Sequence, residues 1–184
     1  VGRIQSSTSF HHLYAASDGE RPGLVETATG RKVLQFDGTN ELEANDTDRG
    51  TVQAFMFELN TEQPRIYIVA RVDKRANGIS SLIELRYSSG PSALALEYDH
   101  RTKRLRVTGM DALVEIPVFE EYWFLAELVR ERQTVGLSVN GSDLITDIAD
   151  SSFNQDTDFT SLSLGNSGSG DTGLQGQIGR IVFK

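Results

Sequence analysis

Apolar and polar residues alternate along most of this chain. In RIYIVARV, residues 65 to 72, Ile66, Ile68, Ala70 and Val72 fall on one side of an extended backbone. SLIELRY sets Ile83, Leu85 and Tyr87 against Leu82, Glu84 and Arg86, and ALALEYD puts Leu94, Leu96 and Tyr98 on one face. Leu105 and Val107 follow between Arg104 and Arg106, then Leu113, Val114 and Ile116 before Pro117. Shorter segments stand at Val52 to Leu59, at Leu144, Ile145 and Ile148, at Leu162 and Leu164, and in the closing QIGRIVFK. From Thr51 they recur at roughly the 8–12 residue spacing of a sandwich. Asp37-Gly38, Asn77-Gly78, Gly90-Pro91 and Asn140-Gly141 supply turns between them. This pattern, with almost nothing helical, predicts an all-β antiparallel sandwich.

One stretch reads two ways. Tyr122 to Gly141, YWFLAELVRERQTVGLSVNG, holds good helix formers, with Glu127 three residues before Arg130. As a strand it puts Trp123, Leu125, Glu127 and Val129 on one face and Tyr122, Phe124, Ala126 and Leu128 on the other, which suits a strand buried on both faces. The alternation of Val135, Leu137 and Val139 and the Asn140-Gly141 turn favour a β-hairpin. Trp123 is then expected in the core.

Length and charge narrow the picture. At 184 residues the chain is expected to form one domain spanning 1–184, in which the weakly patterned residues 1–32 act as an arm and first strand. The formal charge of −8 argues against a nucleic-acid partner. The basic run Arg101 to Arg104 reads as a solvated hairpin end. There is no cysteine for a disulfide or thiolate site, and no apolar run long enough to insert in a membrane as a helix. A start at Val1 suggests a chain cut from something longer.

Three landmarks, in order, resemble one family. VLQFDGTNELEA resembles the FDG-then-strand opening of laminin G-like domains of the concanavalin A-like lectin/glucanase superfamily. YWFLAELVRERQTVGLSVNG is similar to that family's Trp-opened strand and Asn-Gly turn, and LSLGNSGSGDTGLQGQIGRIVFK to its ending. The resemblance covers Val33 to Lys184 and implies a jelly roll of two curved sheets, whose first strand lies near the last. It also raises Ca2+ at the sandwich rim, for which Asp46 with Asp48, Asp73 with Asn77, or Asn166 with Asp171 would be ligand pairs.

Catalytic chemistry finds little footing. A glycosidase needs two carboxylates about 5 to 9.5 Å apart; no Glu-x-Asp-x-Glu motif occurs, Glu41 and Glu43 lie beside the FDG turn, and Glu84, Glu97 and Glu127 stand alone on their strands. A hydrolytic triad has no motif support. His11 and His12 would point to opposite faces of a strand, and the glycine-rich loop from Gly165 to Gly173 lacks a phosphate-loop lysine. Asn45-Asp46-Thr47 and Asn140-Gly141-Ser142 fit the glycosylation acceptor pattern; the second sits in an expected hairpin turn, so chance explains it unless the chain is secreted from a eukaryotic host.

The expectation is a non-enzymatic recognition module for a glycan or glycoprotein, on an extracellular or particle-borne protein. Asp46, Asp48, Arg75, Asn77, Asn166 and Asp171 would bind at one rim, with Tyr87 or Tyr98 for stacking. A structural decoration, capsid or fibre domain contacting other subunits is the alternative; a glycoside hydrolase comes third.

Overall fold

A computed structural model describes residues 3–5, 12–15, 17–45, 65–87, 93–109, 112–131, 134–148, 159–166 and 173–183. Its strands form two antiparallel sheets. The first has the order β1 (Arg3–Gln5), β2 (His12–Tyr14), β5 (Leu42–Asn45), β14 (Phe159–Leu164), β7 (Ile79–Tyr87), β8 (Ala93–Asp99), β9 (Arg104–Gly109), β10 (Ala112–Pro117). The second runs β13 (Ile145–Ile148), β12 (Thr134–Val139), β11 (Phe124–Glu131), β6 (Arg65–Val72), β15 (Gln175–Phe183), β4 (Lys32–Asp37), β3 (Gly23–Glu26). The segment Val52 to Leu59 lies outside the described residues.

Period-two alternation decides which side each sheet turns inward. Across the first sheet, Leu42, Leu164, Ile83, Leu96, Val107 and Val114 are successive register partners on the core face. Leu34, Ile178, Ala70 and Phe124 make the facing row in the second. Fully burying a Val, Leu, Ile or Phe side chain contributes about 1.5–3 kcal/mol. The expected sandwich is the observed fold. Residues 1–32 supply more than one strand: β1 and β2 border the first sheet, and β3 flanks β4, which itself pairs with the last strand.

The ambiguous stretch is the hairpin β11–β12, buried on its core face and in part on the other, where Val129 is 6% and Ser138 5% exposed. Phe124, Ala126 and Leu128 enter the core, while Leu125 on the opposite face is 41% exposed. Trp123 falls before the strand and is 40% exposed, so it is no core residue. The Asn140 (φ 53°)–Gly141 (φ 77°) turn does not join β11 to β12 but leads from β12 toward β13, closed by the Ser142 N–H donating to Val139 O at 3.0 Å.

The FDG turn has an equally local cause. Asp37 Oδ1 accepts from the Thr39 N–H (2.9 Å) and hydroxyl (2.7 Å), and Asn40 Oδ1 accepts from the Asp37 N–H (2.7 Å). At the far side the sheet edges meet, where Asp147 Oδ2 in β13 accepts the Leu113 N–H of β10 at 2.9 Å.

Candidate functional site

The face of the first sheet turned away from the core is polar through its centre. Glu43, Ser163, Glu84, Ala95 and Thr108 are successive register partners from β5 to β9. A second row holds Ser81, Glu97, Arg106 and Glu115. Arg106 donates from Nε (3.0 Å) and Nη2 (3.0 Å) to Glu97 Oε2, which also accepts from Thr108 Oγ1 at 3.2 Å. Arg106 Nη1 stands 3.9 Å from Asp99 Oδ2. One strand away, Arg86 Nη2 donates to Glu84 Oε2 at 2.9 Å. The arginines lie over the carboxylates they pair with, so Glu84 and Glu97 are only 5% and 6% exposed. Ser81 Oγ, beside Glu97, is buried without a hydrogen-bond partner among the described residues.

This array sets acceptors beside donors on rigid strands. A polyhydroxylated ligand, whose every OH both donates and accepts, matches such a surface. Glu84 and Glu97, each alone on its strand, are diagonal neighbours on β7 and β8, about 7–8 Å apart at the backbone. Glu127 belongs to the other sheet, where it accepts from Arg65 (2.6 Å) and Tyr67 (2.9 Å).

The rim beside this face gathers part of the expected site. Arg75 Nη1 donates to Gly173 O (3.3 Å), and the Leu174 N–H donates to Gly165 O (2.6 Å) beside Asn166, whose Nδ2 reaches Glu41 Oε2 (3.4 Å). Arg75 and Asn166 therefore share one rim with the FDG turn, and Asn77 is exposed on the Arg75 loop. Asp46, Asp48 and Asp171 lie outside the described residues. Among the described residues no three His, Asp or Glu side chains converge on a metal-sized site. Asp73 faces Arg71 at 3.6 Å.

Behind the rim lies a chain of hydrogen bonds that the sequence did not announce. Ser80 Oγ is 2.9 Å from His100 Nε2, and His100 Nδ1 is 2.7 Å from Glu120 Oε1. Glu120 also accepts from Lys103 Nζ (2.7 Å) and the Arg75 N–H (3.3 Å). Burial alone would raise the Glu120 carboxyl, but Lys103, His100 and the Arg75 amide outweigh it and hold it below the usual range. A carboxylate only accepts, so His100 carries its proton on Nδ1, and Nε2 accepts from the Ser80 hydroxyl. Burial pushes the His100 pKa down, against the pull of Glu120. The order Ser–His–Glu is that of an acyl-transfer triad, yet Ser80 and His100 are both 0% exposed. No substrate carbonyl reaches such a serine, and the network serves to anchor the rim.

The aromatic expectations change as well. Tyr98 is buried, its hydroxyl donating to Val118 O at 2.9 Å, and burial with nearby Glu120 and Asp99 pushes its pKa up to about 12. The side chain of Tyr87 lies outside the described residues. Among the described residues the exposed aromatics are Phe119 (82%), Tyr122 (72%) and Trp123.

Neither the protein-family models nor the curated proteins give a match to this sequence. Solved structures do. Trypanosoma rangeli sialidase in complex with the inhibitor DANA superposes with a TM-score of 0.72 at 14% identity, over 99% of this chain and 28% of that one. The CBM40 of Ruminococcus gnavus IT-sialidase, bound to α2,3-sialyllactose, superposes with a TM-score of 0.60 at 15% identity, over 82% of this chain and 88% of that one. The chain thus spans less than a third of the sialidase chain and nearly all of the CBM40. These likenesses concern the fold, and a laminin G-like sandwich is compatible with them.

Proposed function

We propose that this chain is a non-enzymatic glycan-binding module whose ligand lies on the polar face of the first sheet. The observation that carries the reading is the Glu97–Arg106–Thr108 cluster beside Arg86–Glu84, fixed on three adjacent strands. Arg106 directs two contacts to Glu97 and has further N–H donors for a ligand oxygen. Both carboxylates are already engaged by arginine, which suits hydrogen bonding to sugar hydroxyls better than proton transfer to a leaving group. The shared fold with a CBM40 supports the same class of ligand and makes α2,3-sialyllactose the first compound to try. A location outside the cell, as expected from the sequence, accords with such a ligand.

Calorimetric titration with α2,3-sialyllactose tests the reading. Losing one charge-assisted contact costs about 1.5–3 kcal/mol, so Arg106→Lys, which keeps the charge and loses the planar fork, should weaken binding about ten- to hundred-fold. Equal affinity in wild type and variant would remove the face from the account.

One observation favours the alternative of protein contacts. Leu113, Ile145 and Ile148 are 53%, 48% and 72% exposed near the meeting edges of the two sheets. Sedimentation across a concentration series checks it: a monomer at all concentrations rules out self-association through that edge.

A further inference from the structure

The loop joining β10 to β11 carries FEEYW, residues 119 to 123, with three exposed aromatic side chains in five positions. The feature is built rather than accidental. Glu120 ties the loop to His100, Lys103 and the Arg75 amide. Glu121 takes a positive φ of 66°, fixed by its N–H donating to Val72 O at 2.7 Å. Trp123 then packs on the outer face of the second sheet at Gly179, where a β-carbon would lie 3.4 Å from Cζ3 of the indole and 3.6 Å from Val33. Gly179 sits at the register shift of β15, so a bulged glycine makes the seat for the ring. One side of the indole rests on the sheet and the side chain remains 40% exposed.

We infer that Trp123, flanked by Tyr122, is a stacking platform for a neutral pyranose ring, on the opposite side of the sandwich from the polar face. A fixed, half-exposed aromatic plane offers an apolar contact at little conformational cost, which suits the C–H face of a sugar. Charge selects among the surfaces that aromatic rings recognise. Glu121 is exposed between the rings and the whole chain carries −8, a setting that repels anionic bilayers and nucleic acid and leaves an uncharged ligand favoured. The platform is independent of the polar-face site, and its ligand does not need the carboxylate that an arginine would take.

The test uses the chain's single tryptophan as its own reporter. The whole chain is titrated with millimolar lactose, maltotriose and the N-acetylglucosamine trimer while tryptophan emission is followed. The result expected is a saturable shift with at least one sugar, loss of its calorimetric binding in Trp123→Ala, and at least ten-fold weakening in Tyr122→Ala, whose circular dichroism and melting curve should match wild type. Arg106→Lys should leave this response unchanged, which separates the platform from the polar face. Emission that none of the three sugars moves, or affinity unaltered in Tyr122→Ala and Trp123→Ala, overturns the inference. A shift produced by phosphatidylcholine vesicles and by no sugar also overturns it, in favour of a bilayer interface.

Discussion

His100 Nδ1 lies 2.7 Å from Glu120 Oε1, with the imidazole fully buried. Because burial lowers the folded-state pKa of His100 below its ordinary 6.5, the unfolded chain takes up a proton at higher pH than the folded one. Stability from this group is therefore complete above about pH 6.5 and falls as pH drops below it. Melting temperature should decline from pH 7 to pH 5 in wild type and decline less steeply in His100→Gln, with His11 and His12 common to both. Parallel slopes would show that His100 does not govern the acid limb. His100→Ala should also cost about 1–3 kcal/mol at neutral pH, because Ser80 and Glu120 lose their buried partner.

Gly165 combines φ of 84° with contact to Phe36, whose ring carbons would lie 2.3 Å from an added β-carbon. Gly165→Ala must shift either the ring or the end of β14. Overpacking and the left-handed backbone together should cost about 2–4 kcal/mol in denaturant unfolding. A variant as stable as wild type would mean that Phe36 moves freely in the core.

Asp147 closes the sandwich's edge through the Leu113 N–H, and the amides of Leu113 and Ile148 hold its carboxyl below the usual range. Asp147→Ala should leave that edge donor unpaired amid exposed Leu113 and Ile148 and increase self-association. Light scattering at rising concentration would show it; a monodisperse variant would contradict the role assigned to Asp147.

The fold was legible because alternation with period two survives in RIYIVARV, ALALEYD and the central hairpin even without neighbours. The Asn140-Gly141 turn could be read outright, since few other pairs tolerate two positive φ angles. The site was legible only in part. Arg75 and Asn166 were assigned to a rim from loop polarity, and they do share one. Glu97, Arg106 and Thr108 meet through strand register, which no local pattern reveals. Ser80, His100 and Glu120 are spaced 20 residues apart and meet only when β7, β8 and the loop after β10 come together. Trp123 misled because an aromatic next to an apolar run reads as core; a bulged glycine on another strand decides its exposure.

Calcium dependence separates the rim from the polar face. The binding proposed here uses arginine and carboxylate side chains directly, so sialyllactose affinity should be the same with calcium and with EDTA. Loss of binding in EDTA would shift the ligand site toward Asp46, Asp48 and Asp171.

The most direct measurement is a glycan array probed with wild type, Arg106→Lys and Arg86→Ala in parallel, each first checked by its melting curve. Wild type should bind a restricted set of glycans, and both variants should lose at least ten-fold on that set while remaining folded. An array on which wild type binds nothing, or on which both folded variants bind like wild type, would contradict glycan recognition by the polar face.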